Sequence, residues 1–157
     1  MLYYTSLLFG VVACFTKDSW IQPCMIALMG LSVINHAKVF DSYPGKRLVV
    51  YTDRALAHSI GLVSLIKSRE IYKNALTIYT PEGLMLSVYC PLAVYYLSTG
   101  WCAYTYYAKT VWMTHDMRGH DFWHGSVHAC ASLGIYALYI AEKACKFALS
   151  YQKKAAM

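Results

Sequence analysis

Five polar residues stand inside otherwise apolar stretches of the chain. Ser32 and His36 are four residues apart, His120 and His124 are four apart, and Asp53 lies between the two pairs. In a helix that separation puts both side chains of a pair on one face. An ionisable group inside an apolar span costs at least ~2.5–3.5 kcal/mol on insertion scales, so each requires a partner or a purpose. Three imidazoles, His36, His120 and His124, suit Zn²⁺ and leave a fourth position for water, which is the arrangement of a catalytic rather than a closed structural site. Zinc lowers the pKa of such a water toward ~7, and a carboxylate (Asp53) and a hydroxyl (Ser32) can orient it or carry its proton. Other uses stay open. His128 continues the stripe His120/His124/His128, which could line a polar helix interface or, with His36 or His58, ligate haem as an outlying alternative. Arg54 beside Asp53 offers that acid a neighbouring charge near lipid headgroups.

The elements that would carry these residues follow from composition. The 157 residues are 58% hydrophobic and 14% charged, with a formal charge of +6. A soluble domain carries about 25% charged residues, so the composition points to a multi-pass membrane protein. At ~20 residues per span there is room for four or five. The runs fall at about 2–15, 20–40, 48–66, 84–107 and 120–144, making one all-α membrane bundle over residues 1–157. Asp41 to Arg47 reads as a loop, as do Lys67 to about Gly83 and Lys109 to Gly119. Thr80-Pro81-Glu82-Gly83 has the signature of a helix start.

Lys and Arg are spread through the loops rather than gathered into a stripe, which speaks against nucleic acid and for interfacial anchors. With five spans, Lys38, Lys46, Arg47, Lys109 and Arg118 fall on one side, and Lys17, Lys67, Arg69, Lys73, Lys143, Lys146, Lys153 and Lys154 on the other. That bias puts the C-terminus on the positive side. No basic leader, Arg/Ser-rich presequence or cleavage site marks the start of the sequence. Six cysteines form no C-x-x-C pair and mostly sit in apolar runs, where thiols behave as small hydrophobes. Fifteen tyrosines and four tryptophans suit membrane interfaces or contacts with other membrane chains.

Parity brings the polar residues together. The end of span two, the start of span three and the start of span five lie on one side of the membrane, so Ser32, His36, Asp53, His120 and His124 can meet at one depth. This pattern, Ser32-x-x-x-His36, then Asp53, then the His120-Asp121-Phe122-Trp123-His124 run opening the last helix, resembles the CREST superfamily of membrane metal hydrolases. That group includes the alkaline ceramidases and the progestin and adipoQ receptors. The resemblance implies His36, His120 and His124 as zinc ligands, with Ser32 and Asp53 flanking the water, in a form shortened to five helices from the family's seven.

Two functions are expected. The first is an accessory subunit of a large membrane complex of the respiratory-chain or ATP synthase type, in the mitochondrial inner membrane, with the metal site structural or vestigial and other membrane subunits as partners. The alternative is a zinc-dependent hydrolase of lipid amides or esters, in which Zn²⁺ polarises the carbonyl and Asp53 accepts the proton. The endoplasmic reticulum or Golgi suits that second reading.

Overall fold

Short polar clusters divide the chain into five helices, which accommodate Pro23, Pro91 and several glycines within them. In the computed structural model they are α1 (Leu2–Phe15), α2 (Ile21–His36), α3 (Tyr43–Ala75), α4 (Pro81–Thr114) and α5 (His120–Ala155). The structure describes residues 2–17, 19–37, 43–75, 81–114 and 120–155. The fold is all-α, with no strand among the described residues.

Three helices outrun the lengths read from hydrophobicity. Tyr43 to Arg47 is the first turn of α3 rather than part of a loop. Pro44 explains this, since its fixed φ and missing N–H suit the opening of a helix, where the amides are unbonded anyway. Beyond Ile66, α3 continues to Ala75 through a polar segment in which Lys67 and Glu70 pair at 3.0 Å. The end of α5 likewise continues past Ala144, held by Lys146 and Glu142 at 2.8 Å. Such pairs, three and four residues apart, favour helix without contributing apolar character. Pro81 does open α4, which runs on to Thr114 with Pro91 inside it.

No helix among the described residues is long and apolar enough to cross a membrane. Two are short, α1 with 14 residues and α2 with 16. In α4 the apolar residues alternate with Ser, Thr, Tyr and Pro91, and α3 and α5 carry charges along their length. The radial distribution is nonetheless unusual. Ser6, Thr16, Ser32, Asp53, Ser64, Ser68, His128 and Ser132 are buried, while Tyr4, Leu7, Val11, Phe15, Leu48, Leu62, Leu84 and Phe147 are exposed.

The bundle is built on the pair α4 and α5. Cys90, Ala93, Leu97, Gly100 and Ala103 form a buried stripe on α4, facing Ala137, Ala141, Ala144 and Ala148 on α5. Small side chains at helical spacing let two backbones approach closely. Gly134 shows how closely: a Cβ there would lie 2.8 Å from Leu97 Cγ and 3.1 Å from the Leu97 backbone nitrogen. Leu97 thus meets Gly134 while Gly100 meets Cys130, so the two helices run antiparallel.

The first helical pair, α1 and α2, closes against α5. Its core contains Phe9, Val12, Ala13, Ile21, Met25 and Leu28, together with Ile60, Leu97, Ile135 and Tyr139 from the other helices. Below it, Trp20 Nε1 donates to Glu142 Oε2 at 3.2 Å, clasping the α1/α2 turn to α5. At the opposite end the bundle opens around α2's last turn, where the polar residues gather.

Candidate metal centre and cavity

Each functional side chain is placed by the end of an element. The last turns of α2 carry Ser32, Asn35 and His36, the early turns of α3 carry Asp53, and the early turns of α5 carry His124 and His128. The packing of α1 completes the wall with Thr5, Ser6 and Phe9.

His36, His124 and His128 converge. One ring nitrogen from each lies within 4.8 Å of the others, and the ring centroids are 4.6 Å apart for His36 and His124 and 4.7 Å for His124 and His128. His124 Nε2 stands 3.1 Å from His128 Nε2. Two nitrogens of the same kind at that distance either share one N–H or face a common cation. Around tetrahedral zinc, Zn–N bonds of ~2.0–2.1 Å put neighbouring ligand nitrogens about 3.3–3.4 Å apart, so His124 and His128 stand near that spacing, while the full set, spread over as much as 4.8 Å, would draw in around an ion. On its other side, His128 Nδ1 shares a 2.9 Å hydrogen bond with Thr5 Oγ1, and Phe9 packs against the same ring in a tilted arrangement, centroids 5.1 Å apart. A partner at one ring nitrogen fixes the tautomer and presents the other for coordination.

The residues expected from sequence are distributed as follows. His36 and His124 are in the cluster, and His128 joins them from the next turn of α5. The side chain of His120 lies outside the described residues. Ser32 is fully buried and hydrogen bonded to Ser6 Oγ at 2.8 Å, which ties α1 to α2 one turn from His36. Asp53 is 8% exposed and its Oδ2 accepts from Asn35 Nδ2 at 3.0 Å. His58 is separate from the cluster and packs against Trp101, tilted at 4.9 Å, and Tyr104, edge-on at 5.0 Å.

The histidines and Asp53 share one cavity of about 460 Å³. Its wall is graded along all four helices that reach it deeply. On α3 it runs from Lys46 through Asp53 and Arg54 to Ile60 and Gly61; on α5 from His124 and His128 to Ile135; on α2 from Asn35 and His36 back to Leu28; and on α4 from Tyr104 to Leu97. The polar groups lie at one end and the apolar groups toward the centre of the bundle.

Such a site can bind a divalent cation through neutral imidazoles, hold a carboxylate at the edge of the same space, and receive a molecule with polar and apolar ends. The participation of His128 had a sequence signal, its place four residues after His124. The parts played by Thr5, Ser6 and Asn35 had none, because nothing local marks a hydroxyl or an amide that will meet a partner on another helix. No protein-family model, no characterised protein and no solved structure matches this chain.

Proposed function

We propose that the chain is a membrane-embedded, zinc-dependent hydrolase of lipid amides or esters. The observation that carries this reading is the shared cavity: three imidazoles and Asp53 stand at the polar end of a space whose other end is apolar. His36 and His124 belong both to the motif that resembles the CREST superfamily and to the observed cluster. His128 supplies the third imidazole.

The membrane setting is supported by the inverted distribution of polarity. Residues such as Leu7, Val11, Leu62 and Leu84 cover the outside, while serines, Asp53 and His128 are enclosed. Mean hydropathy along a helix averages these two faces, so polar residues turned inward lower it without making the outer face any less compatible with lipid.

Zn²⁺ bound by His36, His124 and His128 would supply Lewis acidity to a carbonyl oxygen and acidify water. The protein's own groups do the rest. Asn35 fixes Asp53 through Oδ2, so that the carboxylate accepts a proton from the water attacking the acyl carbon. The water oxygen becomes part of the carboxylic acid, the C–N or C–O bond breaks, and the proton held by Asp53 passes to the leaving amine or alkoxide. Thr5 holds the His128 ring in position throughout.

The test is purification in detergent, elemental analysis, and incubation with long-chain acyl amides and esters. About one zinc per chain, with hydrolysis abolished and zinc retained in Asp53→Ala, is the expected result. Neither zinc nor hydrolysis of any substrate would overturn the reading.

A second reading, an accessory subunit of a large membrane complex, is favoured by one observation. Tyr4, Leu7, Val11 and Phe15 leave a large apolar face on α1 that a neighbouring subunit would cover as readily as lipid. That reading suits the mitochondrial inner membrane, whereas the hydrolase suits the endoplasmic reticulum or Golgi. Native electrophoresis after mild detergent extraction separates them, a subunit migrating with its complex.

A further inference from the structure

The apolar end of the cavity has a floor, and its depth follows from the helices that line it. The deepest lining residues are Leu28 on α2, Gly61 on α3, Leu97 on α4 and Ile135 on α5. One turn further along the same four helices stand Met25, Ser64, Ala93 and Leu138, each 0% exposed and none of them bordering the cavity. Packed side chains therefore close the space beyond that level.

Three helices give the same depth. From His36 to Leu28 on α2, and from Asp53 to Gly61 on α3, is eight residues, and from His128 to Ile135 on α5 is seven. At ~1.5 Å per residue these are rises of about 10–12 Å. An extended alkyl chain built from C–C bonds of ~1.5 Å advances about 1.25 Å per carbon. A chain whose carbonyl stands at the level of the histidines and Asp53 thus reaches the floor after about eight to ten carbons.

Gly61 differs from the glycines of the α4/α5 seam. A Cβ on Gly100 would stand 3.2 Å from Cys130 Cβ and one on Gly134 2.8 Å from Leu97, so close packing accounts for both. A Cβ on the half-buried Gly61 would meet nothing within 4 Å. Glycine inside a helix is unfavourable relative to alanine, and here no neighbouring helix requires it. The room left by the missing side chain belongs to the cavity.

Resting on the hydrolase reading for its reaction, we propose that Gly61 determines chain-length specificity: the acyl compartment takes a chain of about eight to ten carbons whose methyl end lies against Gly61. Ala57, one turn nearer the histidines, lines the cavity and is exposed, so the compartment is reached from the side along α3. The end of the chain is then enclosed by Leu28, Leu97 and Ile135. A longer chain finds no room below them and must leave its excess in the side opening.

The experiment uses the full chain in detergent and two variants. Gly61→Leu fills the floor, and Gly30→Leu adds the same side chain in open space on α2, at a residue that does not line the cavity. Neither side chain meets an obstacle at its Cβ, and helical circular dichroism checks that both variants fold. The probes are tritiated ketones in which a methylene replaces the amide nitrogen of N-hexanoyl-, N-decanoyl- and N-hexadecanoylethanolamine, so that binding is read without turnover. Hydrolysis of the three amides is followed in parallel. Each probe's affinity for a variant is divided by its affinity for the wild type, which cancels partition into detergent.

Gly61→Leu should weaken the decanoyl probe about tenfold, the loss of roughly two buried methylenes, and leave the hexanoyl probe unchanged. Gly30→Leu should change neither. After correction for partition, the wild type should bind the hexadecanoyl probe more weakly than the decanoyl one. Equal or tighter corrected binding of the hexadecanoyl probe overturns the proposal. So does a Gly61→Leu variant that weakens no probe, weakens hexanoyl and decanoyl alike or only matches Gly30→Leu, and so does failure of all three probes to bind. Length-selective binding without hydrolysis leaves this proposal standing and sinks the hydrolase reading. Hydrolysis that does not depend on chain length does the reverse.

Discussion

Thr5 on α1 and His128 on α5 are 123 positions apart and meet through a 2.9 Å hydrogen bond between the hydroxyl oxygen and ring Nδ1. The contact reaches the histidine cluster that is the candidate metal site. It engages Nδ1 of His128 while Nε2 of the same ring faces His124. Partners of this kind, one bond removed from the ion, are typically worth about 10- to 100-fold in metal affinity. Thr5→Val keeps the shape and removes the hydroxyl, so zinc affinity should fall by about that factor, while Thr5→Ser should restore it. Competition with a chromophoric chelator measures both.

The third imidazole can be identified directly. His36→Ala and His124→Ala should each abolish stable zinc retention. His128→Ala should do the same, whereas His120→Ala should retain about one zinc per chain by elemental analysis. Zinc lost from His120→Ala and kept in His128→Ala would return the third ligand to the start of α5.

Asp53→Asn separates proton transfer from binding. The amide is nearly the same size and can still face Asn35, but it cannot accept a proton from water. Turnover should fall by about 100- to 10,000-fold with zinc content unchanged. Loss of zinc together with turnover would mean that Asp53 serves the metal cluster instead.

Acid should empty the centre. Coordination requires unprotonated imidazoles, so protons compete with the ion and affinity declines as pH falls. Zinc retained on dialysis should decrease progressively from neutral toward acidic pH and recover on readjustment with added zinc. Retention unchanged at about pH 4, well below the ordinary imidazole range near 6.5, would exclude a histidine-only ligand set.

Gly134→Val tests the seam between α4 and α5. The first atom added would meet Leu97 at 2.8 and 3.1 Å, one of these contacts being to backbone nitrogen, which cannot rotate away. Overpacking of this kind costs about 1–3 kcal/mol. The variant should unfold at lower temperature in detergent, with Gly30→Ala, where a Cβ meets nothing within 4 Å, as the comparison.

Helix type and order were legible in the sequence, because Leu2–Phe15 and the later apolar runs contain few breakers and Pro81 marks a start. Helix ends were less so: Tyr43–Arg47 and the Lys67–Ala75 segment are helical through proline placement and ion pairing, signals that hydropathy does not carry. The four-residue spacing of His120, His124 and His128 placed all three on one stripe but could not choose among them. That choice depends on the axial position of α5 against α2, set by contacts such as Gly134 with Leu97 and Trp20 with Glu142. Thr5, Ser6 and Asn35 gain their roles from neighbours on other helices and have no signature of their own.

The clasp between Trp20 and Glu142, with the bond between Thr5 and His128, also sets a timetable. Helices are synthesised from α1 onward, and His36 emerges long before the two imidazoles that must join it. Until α5 has been made and has docked against α1, no cation can be held by all three, and the cavity lacks the wall that runs from His124 to Ile135. The histidine cluster is therefore completed only by the last helix, and a nascent chain stalled before α5 lacks two of its three imidazoles.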